Sequence, residues 1–153
     1  MALRGARGRA GERGQALIEA MFVIPFVLVL ILLILDFGIA LDRREVMIHA
    51  VREGARAAAN GDSVPDVKQA AWEQAKDNIA LDDVSVCYLD GPDADTYPGD
   101  VNDAVRVTIN HQYRMLIGGE ILSSLGISTA LDISPTAEVP LLNPVTGATP
   151  CRP

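Results

Sequence analysis

The sequence predicts an α+β chain in which one very long N-terminal helix crosses a membrane and then continues as the spine of a small exported head. Three observations predict it. An uncharged apolar block runs from Ala20 to Leu35, an amphipathic helical pattern follows it almost without interruption, and short alternating runs fill the C-terminal half. A helix laid on a small antiparallel sheet lets a short chain bury both apolar faces. With 153 residues there is room for one domain of ordinary size.

Charge is segregated in the same way. Arg4, Arg7, Arg9 and Arg13 stand against Glu12 in the first fourteen residues, a net charge of +3. From Asp62 to Pro153 five Lys/Arg face fourteen Asp/Glu, a net charge of −9. An acidic head of this kind does not suit nucleic acid, whose phosphates need a basic surface. Aromatic residues make up only 5% of the chain, too few for a base-stacking platform or a broad sugar-binding surface.

The uncharged block alone is short for a bilayer span, which needs about 20 predominantly apolar residues. Extending it from Gln15 to Leu41 gives roughly 40 Å of helix, enough to cover the hydrocarbon core. This segment takes in two carboxylates. Asp36 falls near the outer interface, where it is expected to reach headgroups and water. Glu19 sits just inside lipid, where an ionisable group is costly and usually marks function. The arginines of the first fourteen residues favour a cytoplasmic N-terminus and an exported head, although Arg43, Arg44, Arg52 and Arg56 follow the span. A cleavable secretory signal with Gly38-Ile39-Ala40 as its cleavage site competes, as does a plain signal anchor. The first sets Asp36 where a cleavage region should be uncharged; the second leaves Glu19 unexplained.

Around the start of the arm the residues read Arg13-Gly14-Gln15-Ala16-Leu17-Ile18-Glu19. A basic leader, a Gly and a Glu five residues later resemble the type IV prepilin processing site. The resemblance implies that a membrane prepilin peptidase cuts between Gly14 and Gln15, leaving Glu19 as the fifth mature residue. Gly has no side chain to obstruct an extended backbone in a protease site. Loss of the arginines would free the helix for extraction from the bilayer. The buried Glu19 would then pair with the α-amino group of Gln15 on a neighbouring subunit, compensating a charge that is otherwise expensive to bury.

Further pieces sharpen the likeness. Arg13–Glu19, then Ile24-Pro25, Asp36-Phe37-Gly38, and Val51-Arg-Glu-Gly-Ala-Arg-Ala-Ala58 together resemble the TadE-like family, minor pseudopilins of the tight-adherence (Tad, or Flp) pilus system. The likeness is strong over residues 13–59 and loose beyond. Where family members often carry an aromatic residue after the Glu, this chain has Ala20, with Phe22 two further on. The resemblance implies a structural component that initiates or supports Tad/Flp pilus assembly in adhesion and surface attachment, with no enzymatic activity and no cofactor. Its partners would be the prepilin peptidase, other pilins or pseudopilins and the Tad secretion machinery. It would sit in a bacterial inner membrane as a single-pass protein with a periplasmic or extracellular head. The expected organisation is a leader over 1–14, a transmembrane helix over 15–41 and a head over 42–153.

Beyond the arm, Val46, Met47, Ala50, Val51, Ala55 and Ala58 recur at helical spacing, with arginines between them. One helix is therefore expected from about Gln15 to Asn60, with Pro25 as a candidate kink and Asn60-Gly61 as its stop. Its small residues permit close approach by another element. A second helix should start at Val64-Pro65, capped by Ser63 or Asp62, and end near Asn78–Leu81 with Trp72 as a core anchor. Strand-like runs cover Val84–Leu89, Ala104–Tyr113 and Ala130–Leu142, the last weakened by Pro135. Met115–Thr129 reads as a short helix or loop that crosses over or caps the sheet. This arrangement is the pseudopilin-like form of an α+β fold.

Cys87 and Cys151 are the only cysteines, and an exported head makes a disulfide between them the natural reading, against two free or intermolecular thiols. His49 and His111 lack metal spacing and read as surface or packing residues. The acidic loop Asp90–Asp100 is dense enough in carboxylates to raise calcium, but lacks the EF-hand order and reads by default as a solvated loop. No nucleophile motif is present, so neither a catalytic residue nor a metal site is assigned.

Overall fold

A computed structural model of the chain describes residues 8–91, 99–101, 103–115 and 119–151, with side chains from Gly14 onward except Ile121. Helix α1 runs from Gly8 to Ala59 without interruption, passing through Pro25. It begins earlier than the expected Gln15, inside the arginine-rich segment. It ends where expected. Gly61 takes φ +89° and the Gly61 and Asp62 N–H groups donate back to the carbonyls of Ala58 and Ala57. This is the left-handed stop that satisfies a helix's last acceptors. Leu142 N–H donates to the Ala59 carbonyl and the Asn143 side-chain amide to that of Asn60, at 2.9 Å, so the tail covers the rest.

Helix α2 spans Val64–Ala75. Ser63 is its N-cap, accepting from the Asp66 N–H and donating to the Asp66 carboxylate, and Pro65 lies in the first turn. The helix stops before the expected Asn78–Leu81. The chain instead turns over Lys76–Asn78 and makes a single 3-10 turn at Leu81–Asp83, where the Asp83 carboxylate accepts from the Ala80 N–H.

Five strands are present among the described residues: β1 (Val84–Leu89), β2 (Ala104–Ile109), β3 (His111–Arg114), β4 (Ala130–Ile133) and β5 (Thr136–Pro140), with a short helix α3 (Gly119–Ser124) between β3 and β4. They form two antiparallel sheets, β1-β2-β5 and β3-β4. The two long runs, expected as single strands, are each divided. The first changes sheet at Asn110 and the second at Ser134-Pro135, and the Ile109 N–H donates to the Pro135 carbonyl where they turn together. Proline cannot serve as a ladder donor, and both strands bend at this shared corner.

The core lies between the upper half of α1, helix α2 and the three-stranded sheet. Val105, Val107 and Ile109 alternate inward from β2 and meet Met47, Ala50, Val51, Ala55 and Ala58 of α1 and Val67, Ala71 and Ala75 of α2. Trp72 packs at the edge of this core, as anticipated. Gly54 marks the closest approach. A Cβ there would fall 2.9 Å from the Ala71 Cβ and 3.3 Å from the Val107 Cγ1, so the crossing of two helices and a strand requires the missing side chain. On the outer face of the sheet Arg106 and Glu138 pair across β2 and β5 at 2.6 Å, and the Thr108 and Thr136 hydroxyls are 3.1 Å apart. Such half-exposed pairs align register more than they stabilise.

Candidate functional site

The first candidate is the lower half of α1. From Gly14 to Leu35 it is roughly 33 Å long at ~1.5 Å per residue, close to the thickness of a bilayer's hydrocarbon core. Mean hydropathy reaches 3.0 in its most apolar window, and none of that window is buried by the rest of the molecule. Leu17, Ile18, Met21, Phe22, Ile24, Phe26 and Leu28 all stand exposed. The helix is thus compatible with a single-pass membrane anchor, its backbone groups satisfied internally as lipid demands.

Gly14, Gln15 and Glu19 lie at the start of this bare stretch, all exposed. Gln15 and Glu19 are four residues apart on a continuous helix, so they share one face a single turn apart. Around Gly14 no atom would meet an added Cβ within 4 Å.

At the top of the bare stretch the structure corrects an expectation. Asp36 does not reach out to headgroups and water: it is 0% exposed. Near it is Tyr113 of β3, a buried side chain whose ring lies under the Arg43 guanidinium, 5.0 Å from the ring centroid. Asp36 and Arg43 are two helical turns apart on one face of α1, and Tyr113 fits against that face. Burial, and to a lesser degree the Asp36 carboxylate, push the Tyr113 phenol above its ordinary pKa, with Arg43 partly offsetting them. The head therefore meets the long helix from Asp36, and Ala40, inside the expected span over 15–41, already belongs to the core.

Cys87 and Cys151 form a disulfide, with Cα atoms 4.8 Å apart across a sequence separation of 64. Tyr88 N–H donates to the Thr149 carbonyl and Cys151 N–H to that of Tyr88, so the tail joins the free edge of β1 as one parallel bridge. The disulfide fastens that edge.

Two anchors went unread in the sequence. Asp103, 1% exposed, accepts from the backbone N–H groups of Gly91 (2.6 Å), Gly99 (2.5 Å) and Asp100 (3.2 Å). Burial alone would push its carboxyl upward, but these three donors outweigh that and hold it below the usual Asp range. Asp83 meets His111 Nδ1 at 3.2 Å, fastening the start of β3 to the end of the 3-10 turn. An isolated Asp before a strand gives no signal of either role. His49 is exposed. Among the described residues no group of three or more His, Cys, Asp or Glu is placed to hold a metal ion. The calcium reading rests mainly on residues 92–98, which lie outside the described residues. A groove between the start of α2 and the tail is lined by Gly61, Ser63–Pro65 and Pro144–Gly147. The Ser63 hydroxyl there is engaged in capping α2.

Fold and arm together define an α+β protein whose apolar N-terminal helix stands free below a disulfide-closed head. Residues 14–56 match the family described as TadE-like protein. Over this segment, less than a third of the chain, the protein is TadE-like, and the matched residues take in most of the apolar N-terminal helix. Comparison with curated proteins and with solved structures finds no match to this chain.

Proposed function

We propose that this protein is a minor pseudopilin that initiates or supports assembly of a Tad/Flp pilus. It is made as a precursor in the inner membrane, with the arginine-rich leader over 1–14 in the cytoplasm and the head exported. Prepilin peptidase cuts between Gly14 and Gln15. The helix from Gln15 then anchors the subunit until it joins its partners, where the Glu19 carboxylate meets the new α-amino group of a neighbouring Gln15.

The observation that carries this reading is the bare apolar helix, with Gln15 and Glu19 one turn apart at its foot and a head that begins only at Asp36. A subunit that must leave lipid and stack by its helix needs such a helix uncovered, with a charged group near its end to set the register of stacking. The family match opens at Gly14, the residue before the proposed mature start at Gln15. A signal-anchored exported protein with no pilus role would share the helix but would keep the leader. N-terminal sequencing of the protein from cells containing the peptidase separates the two: Gln15 as first residue supports the pseudopilin, and Met1 or Ala2 overturns it. Gly14→Val should leave the leader in place. Glu19→Ala should be trimmed yet fail to support piliation.

A further inference from the structure

We propose that the head has a second membrane contact besides its helix: the connector Gly119–Ile127, which rests in the lipid at the boundary of headgroups and acyl chains on the exported side. The inference depends on the reading of α1 as a membrane span and adds a distinct lipid-binding element to it.

The first argument is placement. Leu142 is bonded to Ala59 and Leu141 to Asp103, so the start of β2 lies level with the far end of the spine. Val107 lies against Gly54, and Tyr113 against Arg43 and Asp36. From β2 through β3 the chain thus descends antiparallel to α1, towards its bare half. The β3–β4 ladder ends with the Met115 N–H donating to the Thr129 carbonyl at 3.1 Å, and Gly119 packs directly against Met115 and Thr129. Helix α3 therefore begins where the head meets the lipid-length stretch.

The second argument is what this connector displays. Gly126 takes φ +76°, the Gly126 N–H donates to the Ser123 carbonyl and the Ile127 N–H to that of Leu122. This pair of bonds is a Schellman stop, a fixed turn rather than a loose loop. On either side of it Leu125 is 70% exposed and Ile127 51% exposed. Gly119–Ile127 contains one charged residue, Glu120. An apolar tip held rigidly in the open is costly in water and favourable in an interface.

The third argument is charge. Charges of both signs stand at this level: Arg43 over Tyr113 and exposed Arg44 and Arg114, with Asp42 and Glu45 exposed on the same stretch of α1 and Glu45 3.9 Å from Arg44. Charged groups of either sign belong in the headgroup layer rather than in the hydrocarbon. The exposed apolar tip lies at the end of the head that faces the bare span, and the charged residues mark the headgroup level above it. A lipid surface is the occupant that fits both.

The test places single cysteines carrying the environment-sensitive fluorophore NBD at Leu125 and Ile127 in the full disulfide-bonded chain. The chain is reconstituted in vesicles of phosphatidylethanolamine and phosphatidylglycerol, with and without lipids bearing a nitroxide on the acyl chain. Ile24→Cys reports the span. Leu142→Cys, 65% exposed at the far end of the head and about 35 Å up the helix from Asp36, reports water. Blue-shifted emission at Leu125 or Ile127, with nitroxide quenching approaching that at Ile24 and well above that at Leu142, is the expected result. Quenching at Ile24 with both connector sites as unquenched as Leu142 overturns the lipid contact and leaves the span intact. A blue shift at the connector without quenching means that protein covers it, and overturns the proposal equally. Loss of quenching at Ile24 itself removes the membrane reading beneath it.

Discussion

The two halves of α1 are one continuous helix with opposite surroundings. From Gly14 to Leu35 its side chains have no partner element among the described residues, and Gly38 just above is equally open. Above it Asp36 and Ala40 are buried, from Met47 to Ala59 buried residues recur at helical spacing, and Gly54 is so closely approached that a single carbon would collide. The lower half is held by propensity and internal hydrogen bonds, which suffice only where water is absent. The upper half is held by packing. The difference teaches that the helix is a single rod serving two solvents, and that substitutions should be read by which solvent they face.

The largest effect should come from the packed end. Replacing both cysteines by serine opens a long loop and frees the tail from β1. In the chain-entropy account this removes about 4 kcal/mol of stability, visible as a drop in the head's thermal midpoint under non-reducing conditions. An unchanged midpoint would mean that the tail's backbone bonds hold the edge alone.

Next comes a pair of glycine substitutions that sharpens the contrast. Gly54→Val should destabilise the head by ~1–3 kcal/mol in denaturant, through overpacking against Ala71 and Val107. Gly38→Ala, with open space around it, should leave the head's stability unchanged. Equal effects at the two sites would erase the distinction between the halves.

Asp103→Asn retains the shape of the side chain but removes its charge and sets one N–H₂ against backbone donors. A loss of ~1–3 kcal/mol is expected at neutral pH. Because the folded carboxyl is held below its unfolded value, its contribution is complete above the ordinary Asp range near ~3.9 and fades as the pH falls through the lowered value. The difference between wild type and variant should therefore shrink in acid. A difference that grew in acid would contradict the assignment.

The smallest effect is expected at Tyr88, whose buried hydroxyl has no hydrogen-bond partner among the described residues. Tyr88→Phe should change stability by less than about 1 kcal/mol, and in the stabilising direction if at all. A large loss would reveal a partner for that hydroxyl.

What the sequence made legible was whatever depends on neighbours along the chain. The helical stripe from Val46 to Ala58, the stop at Asn60-Gly61, the Ser63 cap and the strand at Val84–Leu89 each rest on local periodicity or turn chemistry. The Cys87–Cys151 pairing was legible from an exported head with two cysteines, against free or intermolecular thiols. The divided strands were not, because alternation continues through Asn110 and Pro135 while the sheet changes at both. Nor was the burial of Asp36, near which the fold brings Tyr113 from far along the sequence. The residues of the proposed processing site are local too, and for that reason their motif stands in the sequence while the fold adds only their exposure.

The central claim, one helix in two solvents, is tested most directly by a spin-label scan along α1 in vesicles. Labels go singly at exposed positions Ile24, Leu28, Ile31 and Leu35 and at Arg44, Arg52 and Arg56, and each is relaxed by oxygen and by a water-soluble nickel chelate. Oxygen should dominate up to Leu35 and the nickel chelate at Arg52 and Arg56, with the crossover between Leu35 and Arg44. Nickel dominance at all seven positions, or a lipid signature persisting to Arg52, would contradict it.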